Sequence, residues 1–277
     1  MSTAEFALRA PRARTGTVSP LATLVRRRFQ LTARTPRELF VPLLTPIMFA
    51  LVIAPALKTA LDTDASYESF VAIGTVGLLI PLNTMFSGLG VIVDRISGAQ
   101  RELLTAPVAR GLLVLGNLVV ALAITALQVG VLIAVAVARG IHFEASASGI
   151  GWFIGAAVLF TVGMYGMAEI LANRVPRQEE YIARVPAIAI LPWFLAGALF
   201  PITALPGFLT WVAKFLPLTH GLALMRYGLR GDGSGLHAIW GMNDPTAMAA
   251  LSLAVVGGFA LLLTAASIRV FSRSAIR

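Results

Sequence analysis

The sequence predicts an all-α polytopic membrane protein, and three observations carry that prediction. Charged residues make up 13% of the 277 positions and hydrophobic residues 57%, against about 25% charged in an ordinary soluble domain. The charges lie between long uncharged stretches, several of which reach the roughly 18–20 apolar residues that cross a bilayer. Those stretches are continuously apolar, so they satisfy their backbone as helices; barrel strands would alternate over about ten residues. The composition argues against a soluble enzyme, a secreted scaffold and, despite a net charge of +9, a nucleic-acid-binding domain. With no cysteine, disulfides, thiolate catalysis and Cys-ligated metal sites are excluded.

Along the chain, residues 1–17 read as a disordered tail and 18–36 as an amphipathic helix. Val18, Leu21, Leu24, Val25, Phe29 and Thr32 share one face of that helix, and Arg26, Arg27, Gln30 and Arg34 the other. Pro20 suits its first turn. Such a helix before a span lies along the membrane interface, where Arg26, Arg27 and Arg28 reach anionic headgroups and Phe29 enters the lipid. Residues 37–277 form one membrane domain with six spans, at about 39–57, 69–93, 111–138, 149–172, 185–203 and 246–268. Ala54-Pro55-Ala56 faintly resembles a signal-peptide cleavage site, but the hydrophobic run before it is too long for such a peptide.

Six spans place both termini on one side. Of the 22 lysines and arginines, 17 then fall on that side, and only Lys58, Arg139, Lys214, Arg226 and Arg230 on the other. Positive charge is retained in the cytoplasm, so both termini are expected to be cytoplasmic in a plasma membrane protein.

Three features exceed membrane filler. The cytoplasmic loop Asp94–Arg110 sets Leu103 and Leu104 beside Arg101 and Glu102, and Pro107 ends its short helix. A rigid helix at a cytoplasmic face suits docking of a soluble partner, although an ordinary charged turn reads equally well from the pattern. Second, residues 204–245 are apolar yet broken by Pro206, Pro217, Lys214 and Arg226. Neither half can span, so two short helices over 204–230 that dip into the membrane and return are expected. Trp211 and Tyr227 suit the headgroup belt. Third, interior prolines kink helices. Pro42, Pro46 and Pro55 mark span one, Pro81 span two, and Pro186, Pro192 and Pro201 span five as candidates to line or hinge a pathway.

These residues also carry a family resemblance. The pattern Asp94-Arg95-x-x-Gly98-x-x-Arg101-Glu102-Leu103-Leu104-x-x-Pro107-Val108, with Gly116-Asn117 in the next span, resembles the cytoplasmic coupling region of type-2 ABC exporter permeases. Phe200-Pro201, Leu205-Pro206, Leu216-Pro217-Leu218-Thr219-His220-Gly221 and Leu224-Met225-Arg226 resemble the same family's segment before the last span. The likeness is closest to daunorubicin-resistance and nodulation-lipooligosaccharide exporters. Asp94 stands where many members have glutamate, and His220 where tyrosine is frequent. The resemblance implies an interfacial helix, six spans, a coupling helix over 98–107 docked into an ATPase, and outer re-entrant helices. It also implies two permeases, as a homodimer or with a sister chain, together with two cytoplasmic ATPases that bind ATP and Mg. An amphipathic drug, lipid or glycolipid would be the exported substrate.

The chain is not itself the motor. A phosphate-binding GxxxxGK[ST] loop needs Gly-Lys, yet Leu57 precedes Lys58 and Ala213 precedes Lys214. Glu169 is the acid inside a predicted span. At a helix centre a carboxylate costs about 2.5–3.5 kcal/mol, which makes it a candidate proton carrier, although Asn173 and Arg174 place it near the interface. Asn83, Asn117 and Gln128 read as interhelical hydrogen-bonding groups. His142, His220 and His237 make no metal spacing, and no hydrolase motif places a nucleophile. The alternative to an ATP-driven exporter is an autonomous proton-coupled transporter or intramembrane enzyme that uses Glu169.

Overall fold

The computed structural model describes residues 18–34, 40, 44, 47–60, 62, 65–105 and 108–274. Among these, all regular structure is helical. Helix α1 spans Val18–Ala33. A π-helical turn, Phe49–Ile53, leads into α2, Ala54–Ala60. Helices α3, Ala65–Ser87, and α4, Leu89–Ile96, are nearly continuous, and α5 is Ala99–Thr105. Next come α6, Arg110–Ala138, α7, Ala147–Arg174, and α8, Gln178–Leu195. After a 3-10 turn at Ile202–Ala204 follow α9, Gly207–Ala213, α10, Pro217–Arg230, and α11, Ser234–Trp240. Helix α12, Pro245–Ser274, closes the bundle.

Ser66–Ile96, Arg110–Ala138, Ala147–Arg174 and Pro245–Arg273 are each long and apolar enough to cross a membrane. The α9–α10 pair, bent by 80°, makes a fifth crossing if taken as one span. Helices of 28–31 residues rise about 1.5 Å per residue and so exceed the ~30 Å hydrocarbon layer. Pro42 and Pro46 of the first predicted span, the tail 1–17 and Pro107 lie outside the described residues.

The core is organised around α3, whose residues Val71 to Met85 are all buried. Of its most apolar stretch 72% is buried, against 28% for α12, so α3 is the central post and α12 presents the larger face to lipid. Leu261 and Leu262 on α12 and Leu127 on α6 are largely exposed, as expected where hydrocarbon replaces water. One close approach fixes the packing of α7 on α10. A Cβ on Gly149 would strike the carbonyl oxygen of Gly228, and the reverse also holds, so only glycine lets the two backbones touch. Ser146 caps α7 by accepting from the Gly149 N–H at 3.0 Å. Asn83 of α3 donates to Thr125 of α6 inside the bundle, an interhelical bond of the kind its sequence position suggests.

Three segments differ from their sequence-based bounds. The fifth span was expected over 185–203, but α8 begins at Gln178 and ends at Leu195. Its first two turns are amphipathic, with Tyr181 and Val185 buried and Glu179 and Arg184 exposed, a pattern that bulk apolarity overlooks. It stops because Gly197 adopts a left-handed φ of 78°, and Pro201 therefore lies in a loop rather than a span. The second span carries a break at Gly88, where Tyr181 donates to the Met85 carbonyl at 2.7 Å. Beyond the two short helices expected over 204–230, the segment before α12 holds a third, α11.

Candidate functional site

The helices that alternate in direction gather most of the arginines at one end of the bundle, here the basic end. There α4, α5 and the starts of α6 and α8 meet the finishing turns of α7 and α12, with α1 laid across α6. Gly98 makes the corner between α4 and α5. Its φ of 81° is left-handed, a conformation that costs most residues about 1 kcal/mol or more, and its carbonyl accepts the Arg101 N–H at 2.9 Å.

Helix α5 is two-faced. Arg101 and Glu102 are exposed, while Leu103 and Leu104 pack against a buried cluster of Leu113, Val114, Leu118, Tyr165 and Phe271. That cluster draws its members from α6, α7 and α12. The described part of the predicted coupling helix, 98–107, is Gly98 to Thr105.

Asp94 and Arg95, grouped with these residues in the sequence reading, do not face outward. Asp94 holds Arg27 at 3.1 Å and Arg28 at 3.6 Å. Arg27 is 34% exposed, whereas Arg28 and Asp94 are 11% and 13% exposed, so the Arg28 contact is the one that water screens least. Arg28 also donates to the Ser87 carbonyl at 3.0 Å, where α3 gives way to α4. Arg95 reaches across to the end of α7 and donates to the carbonyls of Ala172 at 2.8 Å, Val175 at 2.6 Å and Pro176 at 3.2 Å. The last carbonyls of a helix lack partners and carry partial negative charge, so this guanidinium caps α7 and pins α4 to it.

The interfacial-helix residues are correspondingly divided. Arg26 and Phe29 are exposed, and Phe29 at 56% is free to enter lipid. Arg27 and Arg28 turn inward to Asp94 rather than outward to headgroups, a correction to the expected arginine face. The reason is lateral: α1 packs along α6 through Leu24, which meets Gly116, and this rotation carries both arginines over α4.

Glu169 sits one to two turns before the end of α7 and is fully enclosed. Tyr165, one turn earlier, donates to its Oε2 at 2.8 Å, and Asn173, one turn later, donates to its Oε1 at 3.3 Å. Both donors come from its own helix at the i±4 spacing, so no partner across the bundle is needed.

At the far end, α9 and α10 take the place of the expected re-entrant segment. Pro206 precedes α9, and Pro217 opens α10 at its first position, where its missing N–H is harmless. Trp211 is 60% exposed and stacks edge-on against Phe215. His220 is buried within a defined relay. The Lys214 carbonyl, 2.9 Å from Nε2, can only accept, so Nε2 carries the proton. Nδ1 then accepts from the Ser252 hydroxyl at 3.2 Å, and Ser252 in turn accepts from the Trp240 indole at 2.8 Å. His220 therefore ties α10 to α11 and α12. Arg226 is buried too; it donates to the carbonyls of Ala198 at 3.0 Å and Phe70 at 3.4 Å and lies 3.4 Å above the Phe70 ring. Ser252, Trp240 and Phe70 carried no sequence signal, because a serine or an aromatic in an apolar helix reads as packing. Among the described residues no group of three His, Asp or Glu side chains lies close enough to hold a metal ion.

Comparison with known proteins gives the family. A family model described as ABC-2 type transporter matches residues 20–229. A protein of Porphyra purpurea is 24% identical over 215 residues, 76% of this chain and 74% of its own length. One of Pyropia yezoensis is 26% identical over 187 residues, 67% of this chain and 64% of its own. Both bear the name "Putative transport permease ycf38". The matched region runs from α1 through the bound corner of α4 and α5 to the end of α10, and the chain accordingly belongs to the ABC-2 type transporter family, as a membrane permease.

Proposed function

We propose that this chain is the membrane-spanning subunit of an ATP-driven exporter whose ATP and Mg are bound by two separate cytoplasmic ATPase subunits. The observation that carries the reading is the two-faced α5: Arg101 and Glu102 stand open beside one another while Leu103 and Leu104 pack against the buried cluster built by α6, α7 and α12. An ATPase that engages the open face at Gly98–Thr105 moves the long helices directly. In this reading the basic end is cytoplasmic, both termini lie there, and the membrane is the plasma membrane. The chain crosses six times: once through the segment that ends in α2, then by α3–α4, α6, α7, α8 and α12, with α9 and α10 returning to the outer face. Two permease copies, or this chain and a sister, enclose the path. The apolar, proline-kinked helices suit an amphipathic drug, lipid or glycolipid as the exported substrate.

The alternative, a self-sufficient proton-coupled transporter or intramembrane enzyme, would make Glu169 the working group. Its enclosure and its two donors from the same helix favour an anchoring role instead. The test is purification in mild detergent from the native membrane with subunits counted by mass spectrometry. A stoichiometric ATPase that is lost in Arg101→Ala/Glu102→Ala supports the exporter. Full transport by the isolated chain, without any ATPase, overturns it.

A further inference from the structure

At the far end, α10 presents Thr219, Ala223 and Arg226 at i, i+4 and i+7, one face of the helix, to a cavity of about 360 Å³. Ile202, Ile239 and Phe70 supply apolar walls. Two side chains on that face are unfinished. Arg226 is 6% exposed and Thr219 3% exposed, yet the Arg226 Nε and the Thr219 hydroxyl have no hydrogen-bond partner. Elsewhere in the chain, buried helical hydroxyls at Thr75, Thr84 and Thr161 donate to a carbonyl one turn back, and Thr219 does not.

Among the described residues no carboxylate pairs directly with the guanidinium. The nearby acid, Asp232, is engaged by Arg230 at 3.6 Å and by the Ser234 N–H at 2.9 Å. The direct contacts of Arg226 are two carbonyls and a ring face, and the Asp232 charge acts on it without an ion pair. A buried cation is ordinarily paired, and the Arg226 Nε and Thr219 hydroxyl, two unsatisfied atoms on residues that line this cavity, want an acceptor. A second cavity of about 450 Å³ adjoins it and shares Phe70, Pro201, Asp232 and Ser234 in its lining.

We propose that this cavity binds an amphiphile bearing one anionic group, a phosphate or carboxylate, that Arg226 neutralises and Thr219 hydrogen-bonds, with the apolar part against Ile202 and Ile239. The inference is independent of ATPase coupling, because it concerns binding alone.

The test uses the purified full chain in dodecyl maltoside, whose neutral headgroup is already in large excess, with radiolabelled dodecyl phosphate as probe and protein-free micelles as background. One saturable site per chain is expected. Arg226→Gln should weaken it by about tenfold or more, the loss of a buried charged hydrogen bond. Since Arg226 also ties α10 to α3, a second variant, Thr203→Trp, plugs the mouth from an exposed position and should give the same loss in a folded protein. Displacement by phosphatidylglycerol but not phosphatidylcholine would assign the site to a lipid headgroup. Retention against both would assign it to a smaller amphiphile, and either result supports the site. Non-saturable binding, unchanged binding in folded Thr203→Trp, or equal displacement by inorganic phosphate would overturn the proposal.

Discussion

Arg95 and Arg101 lie six positions apart in the same loop, and the structure places them oppositely, Arg95 bound to the end of α7 and Arg101 exposed. Replacing Arg95 with alanine strips three carbonyls at the end of α7 of their donor. A hydrogen bond with one charged partner contributes about 1.5–3 kcal/mol. The Pro176 contact is exposed and adds little, and solvent around the half-exposed guanidinium roughly halves the other two. The net loss for Arg95→Ala is therefore about 1.5–3 kcal/mol. Arg95→Lys should recover only part of it, since an ammonium cannot present the planar fork that reaches two carbonyls at once. Arg101→Ala, on the exposed face, should change stability by less than about 0.5 kcal/mol. Reversible unfolding by SDS in mixed micelles reads these differences, and co-purification of the ATPase reads the other property. Arg101→Ala should lose the partner and keep its stability; Arg95→Ala should show the reverse emphasis, destabilised first. If Arg95→Ala unfolds with the wild type while losing the ATPase as Arg101→Ala does, the clasp is wrong and Arg95 is a docking residue.

At the α7–α10 crossing, Gly149→Ala and Gly228→Ala should each destabilise by about 1–3 kcal/mol, because backbone cannot swing aside. The double variant should lose less than the sum, since the first methyl already parts the helices for the second; strict additivity in the same SDS titration would refute the shared contact. Glu169→Gln should leave transport by the assembled complex above about half, the loss of one charge-assisted bond being tolerable; a complex that keeps its ATPase activity but stops transporting would reinstate Glu169 as a working acid. Asp232 lies between α10 and α11. Burial raises its pKa, but the bonds from Ser234 and the charges of Arg230 and Arg226 outweigh burial and hold it below the ordinary 3.8. A depressed folded pKa stabilises above the unfolded value, so Asp232→Asn should be less stable than wild type at neutral pH. The gap should close as pH falls below 3.8. A gap that widens on acidification would contradict that sign.

Span three was legible almost residue by residue: about 111–138 from hydropathy and Arg110–Ala138 in the structure. It has no interior proline, and charges bound it on both sides. The fifth predicted span was not, because α8, which stands in its place, buries Tyr181 and Val185 in its first turns behind a charged face and is ended by a left-handed glycine, not a polar residue. The open pair Arg101 and Glu102 was legible only in part: beside Leu103 and Leu104 the spacing fits a two-sided helix and an ordinary charged turn equally, and the packing of α5 decides between them.

The fold class, the apolar spans and the absence of a nucleotide-binding loop follow from the order of residues alone, because hydropathy and short motifs are properties of contiguous segments. The division of labour among the arginines does not. Arg27 and Arg28 meet Asp94, Arg28 meets Ser87, Arg95 meets the end of α7, and Arg226 meets Phe70, across separations of 59 to 156 residues. A long basic side chain has the same local signature whether it faces water, lipid headgroups or a carbonyl-rich helix end. Which of these it finds is settled only when helices far apart in the chain pack together and one end of one is brought within about 3 Å of another.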